Sequence, residues 1–163
     1  MSQEFAGKTV VVTGAAGIYG AQLAADFAAA GARIFLTDRD PAGLAALRAR
    51  LGGDVAAAPA DLTDAGAIAA LCDEVLAWSL PDIVINNAGI YPFGGLFDTP
   101  VEMWDRIMAV NLRAPFLVTK ALAAAMIAAK RPGNFIFVGS GAGQILRTNG
   151  LAYCAPRSAA SNG

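Results

Sequence analysis

Glycines 14, 17 and 20 stand between a β-branched run, residues 9–12, and residues 21–30, a strong helix former with Leu23 and Phe27 on one face. Strand, glycine turn and helix in that order build a phosphate site. Glycine lets the backbone turn sharply and lets a pyrophosphate come close, and free N–H groups at the helix N-terminus bind the anion. Gly14, Ala16, Gly17, Ile18, Tyr19 and Gly20 are the phosphate-site candidates. A plain β-to-α turn would want the same glycines. Asp38 ends the next apolar run, about 20 residues on, where a carboxylate can accept from both adenosine ribose hydroxyls and repel a 2′-phosphate. It could also be a solvated loop acid or cap the next helix, and Arg39 beside it could pair with a 2′-phosphate. Asp61 and Leu62 close a third run, where an acid or its neighbouring amide can meet an adenine edge or start a helix. Asn87-Ala88-Gly89 follow the fourth, and such small and amide residues let the backbone pass close beside a cofactor, or simply turn.

What is missing narrows the chemistry further. The sequence has no histidine, which excludes Ser-His-Asp and Cys-His catalysis and removes the commonest zinc ligand. Acid–base work falls to Tyr, Lys, Asp or Glu. Cys72 and Cys154 match no metal spacing, so no metal site is expected.

These residues need a frame, and the hydrophobic pattern supplies one. Strands are expected near 8–13, 33–37, 55–59, 82–85 and 134–138, and helices near 18–30, 41–51, 64–77, 100–109 and 112–129. Pro41 suits a first helical turn, Gly31 a C-cap and Asp64 an N-cap. Strands separated by helices imply a doubly wound parallel sheet with helices on both faces, an α/β fold. Ile83-Val84-Ile85 is apolar throughout, as a strand buried on both faces should be. At 163 residues one domain over 1–163 is expected, with a substantial core. Residues 152–163 look like the opening of another helix, and no further strand covers 134–138. The expectation is a chain lacking its C-terminal part.

Charged residues are only 15% and net charge is −1, without a Lys/Arg cluster, so no nucleic-acid partner is expected. No apolar run approaches the roughly 18 residues of a membrane span. The opening Met-Ser-Gln-Glu lacks the layout of an export signal, which makes the cytoplasm the expected location.

Taken together, Thr13-Gly14, Gly17, Gly20, Asp38, Asp61, Asn87-Ala88-Gly89, Asn111, Ser140 and Tyr153 resemble the short-chain dehydrogenase/reductase family. The resemblance runs from about Lys8 to the end, and the 13-residue interval from Ser140 to Tyr153 fits it. It implies a Rossmann-type fold and a dinucleotide cofactor, with Asp38 placing NAD ahead of NADP. It also implies a small alcohol or ketone substrate. In the family Tyr153 would exchange a proton with the substrate as hydride moves to or from the nicotinamide. Ser140 would bond the substrate oxygen, and Asn111 would hold a water relaying protons to a lysine four residues after the tyrosine. A phenol ordinarily titrates near pH 10, so such a base needs positive charge beside it. The resemblance further implies a homo-oligomer in the complete family member, through the helix at 112–129 with its Leu117, Leu122 and Met126 face and the Tyr-bearing helix. With the latter cut short, assembly should weaken or leave an apolar patch exposed.

The chain departs from the pattern at three places. Position 157 is Arg, which supplies charge but cannot pass protons as an ammonium can. Pro156 lies in the same interval and should disturb the Tyr153–Arg157 geometry unless the helix starts there. The GxxGxxG spacing is closer to the sugar-nucleotide epimerase branch. The expected function is an NAD(P)-dependent alcohol dehydrogenase or ketone reductase, nearly inactive in this chain. The alternative is a non-catalytic remnant that binds a dinucleotide or a partner.

Overall fold

The computed structural model describes residues 3–92, 94–144 and 150–161. Strands β1 (Thr9–Thr13), β2 (Arg33–Asp38), β3 (Val55–Pro59), β4 (Ile83–Asn86) and β5 (Asn134–Phe137) form one parallel sheet ordered β3-β2-β1-β4-β5. Helices α1 (Ile18–Ala29), α2 (Pro41–Leu51), α3 (Ala65–Trp78), α4 (Val101–Met108), α5 (Ala114–Ala128) and α6 (Leu151–Ser161) complete the described chain. Every strand and helix falls within a residue or two of its expected span. The expected doubly wound α/β sheet is the observed fold, and β5 is an edge strand with Ile136 and Phe137 nearly half exposed.

Strand alternation divides the core. Val11, Phe35 and Val84 pack on one face with α3 and α5, while Val10, Val12, Ile34 and Leu36 pack on the other with α1 and α2. Caps set the helix entries: Asp40 accepts from Ala42 N and Asp64 from Gly66 N. The order reverses direction between β1 and β4, and a crevice at the C-terminal ends of strands on that switch point is where such sheets bind ligands.

The expected break between helices at 109 and 112 is instead a π turn, Ala109–Arg113, that joins α4 to α5. Pro115 has no N–H to give the Asn111 carbonyl four residues earlier, and Ala114 N reaches back to Ala109 O. The joined helix Val101–Ala128 is long and apolar enough by length and composition to cross a membrane, a feature the residue-by-residue reading missed. Glu102, Asp105, Arg106, Arg113 and Lys120 interrupt it, and Val118, Leu122 and Met126 are buried against the sheet's own core, which makes it a core helix. The same burial corrects the expected oligomer face. Leu117, Leu122 and Met126 pack inward, and the exposed side of α5 instead carries Phe116 and Ile127.

Candidate functional site

β1 ends at Thr13 and the chain reverses at Gly14, whose φ of +66° only glycine adopts easily; a Cβ there would sit 2.8 Å from Ala88 Cα. The turn's own amides are engaged inward. Ala15 N donates to Thr37 O at 3.0 Å, Ala16 N to Asp38 Oδ2 at 3.1 Å and Gly17 N to Gly14 O at 3.2 Å. Gly20 lies so close to the Gly14 carbonyl that any Cβ would collide with it. α1 then begins at Ile18 with Gly17 as its N-cap, which has no side chain to cap the first-turn N–H groups. Those amides and the helix dipole suit a pyrophosphate.

Thr13 also joins the two halves of the crevice. Its Oγ1 accepts from Asn87 N and Ala88 N, each at 3.1 Å, while Asn87 Nδ2 donates to Thr13 O at 2.9 Å and Gly14 O at 3.2 Å. The result is a cavity of about 440 Å³ along the strand ends. Gly14, Gly17, Ile18, Tyr19, Gly20, Asp38, Arg39, Asp61, Leu62, Asn87, Ala88 and Gly89 all line it. Of the expected cofactor set only Ala16 does not, and its amide instead orients Asp38. Thr63, Ile90, Tyr91, Arg106 and Val110 line it too. Thr63 comes from the turn after β3 and Ile90 and Tyr91 from the loop after β4, while Arg106 and Val110 reach the cleft from the π-bearing helix, where no sequence motif marks them.

Both acids accept hydrogen bonds from backbone amides. Asp38 Oδ1 accepts from Asp40 N at 3.1 Å, its other oxygen being taken by Ala16. The Thr63 amide and hydroxyl, both on Asp61 Oδ1, hold the Asp61 carboxyl below the usual carboxylate range, with Arg106 and Arg39 adding to the effect.

The expected catalytic residues lie beyond the Tyr91 rim of this cavity. The ring of Tyr91 stands edge-on to that of Tyr153, centroids 6.4 Å apart. α6 does not start at Pro156 but runs through it, since Tyr153 N and Cys154 N both use Gly150 O and only one later backbone donor is lost. A bridge between Gly94 and Gly150 sets the entry of α6 against the loop after β4; Phe93 of that loop lies outside the described residues. Arg157 is 7% exposed, donates from Nη1 to Val138 O at 2.7 Å, and places its guanidinium carbon 5.4 Å from the Tyr153 ring centroid. Its other terminal nitrogen lies against Gly89. Ser140 heads a 3₁₀ turn, Gly141–Gly143, which packs on α6, and Ser140 Oγ accepts from Ala142 N at 3.2 Å. Asn111, buried in the π turn, gives Nδ2 to Ile90 O at 2.8 Å and accepts from Ile90 N at 2.9 Å. Its side chain therefore positions the loop carrying Gly89 to Tyr91.

The sequence model of the family described as short chain dehydrogenase matches residues 8–162. The chain belongs to this family. Among short-chain dehydrogenases it is 35% identical over 155 residues to D-threitol dehydrogenase of Mycolicibacterium smegmatis, covering 93% of this chain and 59% of that protein. It is 40% identical over 131 residues to inactive 2-(S)-hydroxypropyl-CoM dehydrogenase 2 of Xanthobacter autotrophicus, covering 80% and 56%. A crystal structure of a metagenomic short-chain oxidoreductase in complex with NADP superposes with a TM-score of 0.88 at 40% identity, covering 94% of this chain and 70% of that one. The chain thus spans just under three-fifths of the length of these two curated relatives.

Proposed function

We propose that this short-chain dehydrogenase chain binds NAD(P) in the cleft and serves an oxidoreductase that interconverts a secondary alcohol and a ketone. The observation that carries the reading is the Thr13 junction. It brings the phosphate, ribose and adenine candidates into one cavity whose far rim, Tyr91, packs against Tyr153. The bare first turn of α1 and the glycine at position 20 fit a pyrophosphate, and the cavity is of the size that ligand clefts have. When bound, the nicotinamide supplies hydride chemistry, accepting hydride from the carbinol carbon or returning it.

The chain's own residues supply the rest. The Tyr153 hydroxyl takes or returns the proton of the substrate oxygen. Ser140 accepts one amide hydrogen bond, which leaves its O–H to donate to that oxygen. Arg157 is a fixed positive charge under the tyrosine ring and passes no proton onward, which slows turnover. Asp38 is the group that accepts from the adenosine ribose hydroxyls. The NADP complex of a 40% identical relative removes the ground for ranking NADP lower, so both cofactors are proposed.

A second reading, dinucleotide binding without turnover, is favoured by Arg157 being buried on Val138 O and by the relative whose name marks it inactive. Titration with NADH and NADPH, followed by turnover assays on D-threitol and other secondary alcohols, separates the two. Binding with turnover that Tyr153→Phe removes supports the first, and binding without turnover the second. Absence of nucleotide binding sinks both.

A further inference from the structure

Tyr153 lies in the first turn of α6, where its own N–H and that of Cys154 both use Gly150 O. A helical side chain rests on the turn before its own Cα, and Tyr153 has no earlier turn of α6 to rest on. Its ring takes support from elsewhere. Arg157, one helical turn later, lies 5.4 Å from the ring centroid. A support from outside α6 is Tyr91, whose ring meets it edge-on at 67°, centroids 6.4 Å apart. Tyr91 is 65% exposed, yet its backbone is restrained on both sides. Before it, Ile90 N donates to Asn111 Oδ1 at 2.9 Å and Ile90 O accepts from Asn111 Nδ2 at 2.8 Å. After it, Pro92 has a fixed φ and biases Tyr91 toward extended backbone. Two residues further, Gly94 bridges Gly150, so the residue that takes the Tyr153 N–H also holds the Tyr91 loop.

From this arrangement we infer that Tyr91 is a positioning residue for Tyr153: its ring, on a loop pinned by Asn111 and by the Gly94–Gly150 bridge, sets the direction of the Tyr153 phenol. The inference rests on the alcohol–ketone reading above. Edge-to-face rings favour particular mutual orientations, so the ring on the restrained loop directs the one at the helix start. Proton exchange with a substrate oxygen needs the phenol within hydrogen-bond reach, and a small displacement of a reacting group costs rate steeply. Tyr91 also lines the nucleotide cleft, so one side chain touches that cavity and the proposed acid–base group together. Asn111 acts on Tyr153 along the same path, through Ile90 and then Tyr91.

The test compares Tyr91→Leu with Tyr91→Phe, which keeps the ring, using D-threitol or whichever secondary alcohol the assays above find turned over. Tyr91→Leu should lower kcat about tenfold and change KM for the alcohol and the NADH dissociation constant by no more than about threefold. Tyr91→Phe should bring kcat back to within about twofold of the unchanged protein. A second measurement needs no turnover. In a double-mutant cycle of denaturant unfolding, Tyr91→Leu and Tyr153→Leu should be coupled by about fivefold in the unfolding constant. Additive changes in that cycle overturn the inference, as does a kcat that Tyr91→Leu leaves unaltered or that Tyr91→Phe does not restore. All three of those outcomes leave the alcohol–ketone reading standing. An unchanged protein that binds NADH but turns over no alcohol removes that reading and this role of Tyr91 together.

Discussion

The two ends of the cleft are built differently. The adenosine end is a set of strand-to-helix turns from the first three strands, and its two acids accept from backbone amides: Asp38 from Ala16 and Asp40, Asp61 from Thr63. The proposed catalytic end is assembled from Asn111, Ser140 and Tyr153 on three separate segments. It is joined by contacts between them: Gly94 to Gly150, Asn111 to Ile90, Arg157 to Val138. It rests on β5, an edge strand with exposed Phe137. On the proposed function, nucleotide binding would depend on the turns at neighbouring strand ends, whereas proton transfer would depend on several separate elements keeping their relative positions.

The contrast can be broken most severely at Tyr153. In turnover assays Tyr153→Phe should lower kcat by about a thousandfold and leave the NADH dissociation constant within about twofold. A parallel loss of binding would show that the ends are not separable. The converse is Gly20→Val, whose side chain would drive into the Gly14 carbonyl. It should cost roughly 2–3 kcal/mol of stability and remove nucleotide binding, read by melting and titration.

Asp82 lies away from the cleft, at the N-terminal ends of the strands just before β4. It accepts from Thr9 N at 2.9 Å, Lys8 Nζ at 3.2 Å and Arg131 Nη2 at 2.9 Å, which ties β1 to the segment entering β5. Burial pushes its carboxyl up, but the Thr9 amide and the two cations outweigh this and hold it below the usual carboxylate range. A folded-state value below the unfolded one stabilises the protein above about pH 4 and is lost as pH falls through the folded-state value. Asp82→Asn should therefore cost about 2 kcal/mol at neutral pH, with the melting-temperature gap to the parent closing below about pH 4. A gap that does not change with pH would assign the effect to packing.

The smallest change sharpens the comparison at Arg157. Arg157→Lys should raise kcat about tenfold by restoring a group that can exchange protons, with nucleotide affinity unchanged. Unaltered kcat in that variant would remove Arg157 as the limiting feature.

How much could be read from the residues differs between the ends in the same way. Gly14, Asp38 and Asp61 were legible because each ends a strand at a spacing that one βα unit sets, and the cavity collects them as expected. Arg106 and Val110 were not legible, since no periodicity tells which turn of α4 or the π segment leans over the cleft. The apolar face of α5 was identified correctly but given the wrong neighbour, because an amphipathic stripe does not say whether it covers its own sheet or a second chain. Pro156 was expected to break a geometry that α6 keeps. A proline in a second turn removes one donor, and the Gly150 carbonyl and neighbouring segments hold the helix start.

The sequence by itself determined the alternation of strands and helices, the glycine turn and the acids at the strand ends, because these are consequences of local chain geometry and hydrophobic period. Only the tertiary structure decided that Thr13 clips two loops into one cleft, that Asn111 is engaged on Ile90, and that Arg157 lies beneath Tyr153 against Gly89. Apart from the Tyr153–Arg157 pair, one helical turn apart, each of those contacts joins segments distant in the chain, and their formation depends on how the helices pack across the sheet.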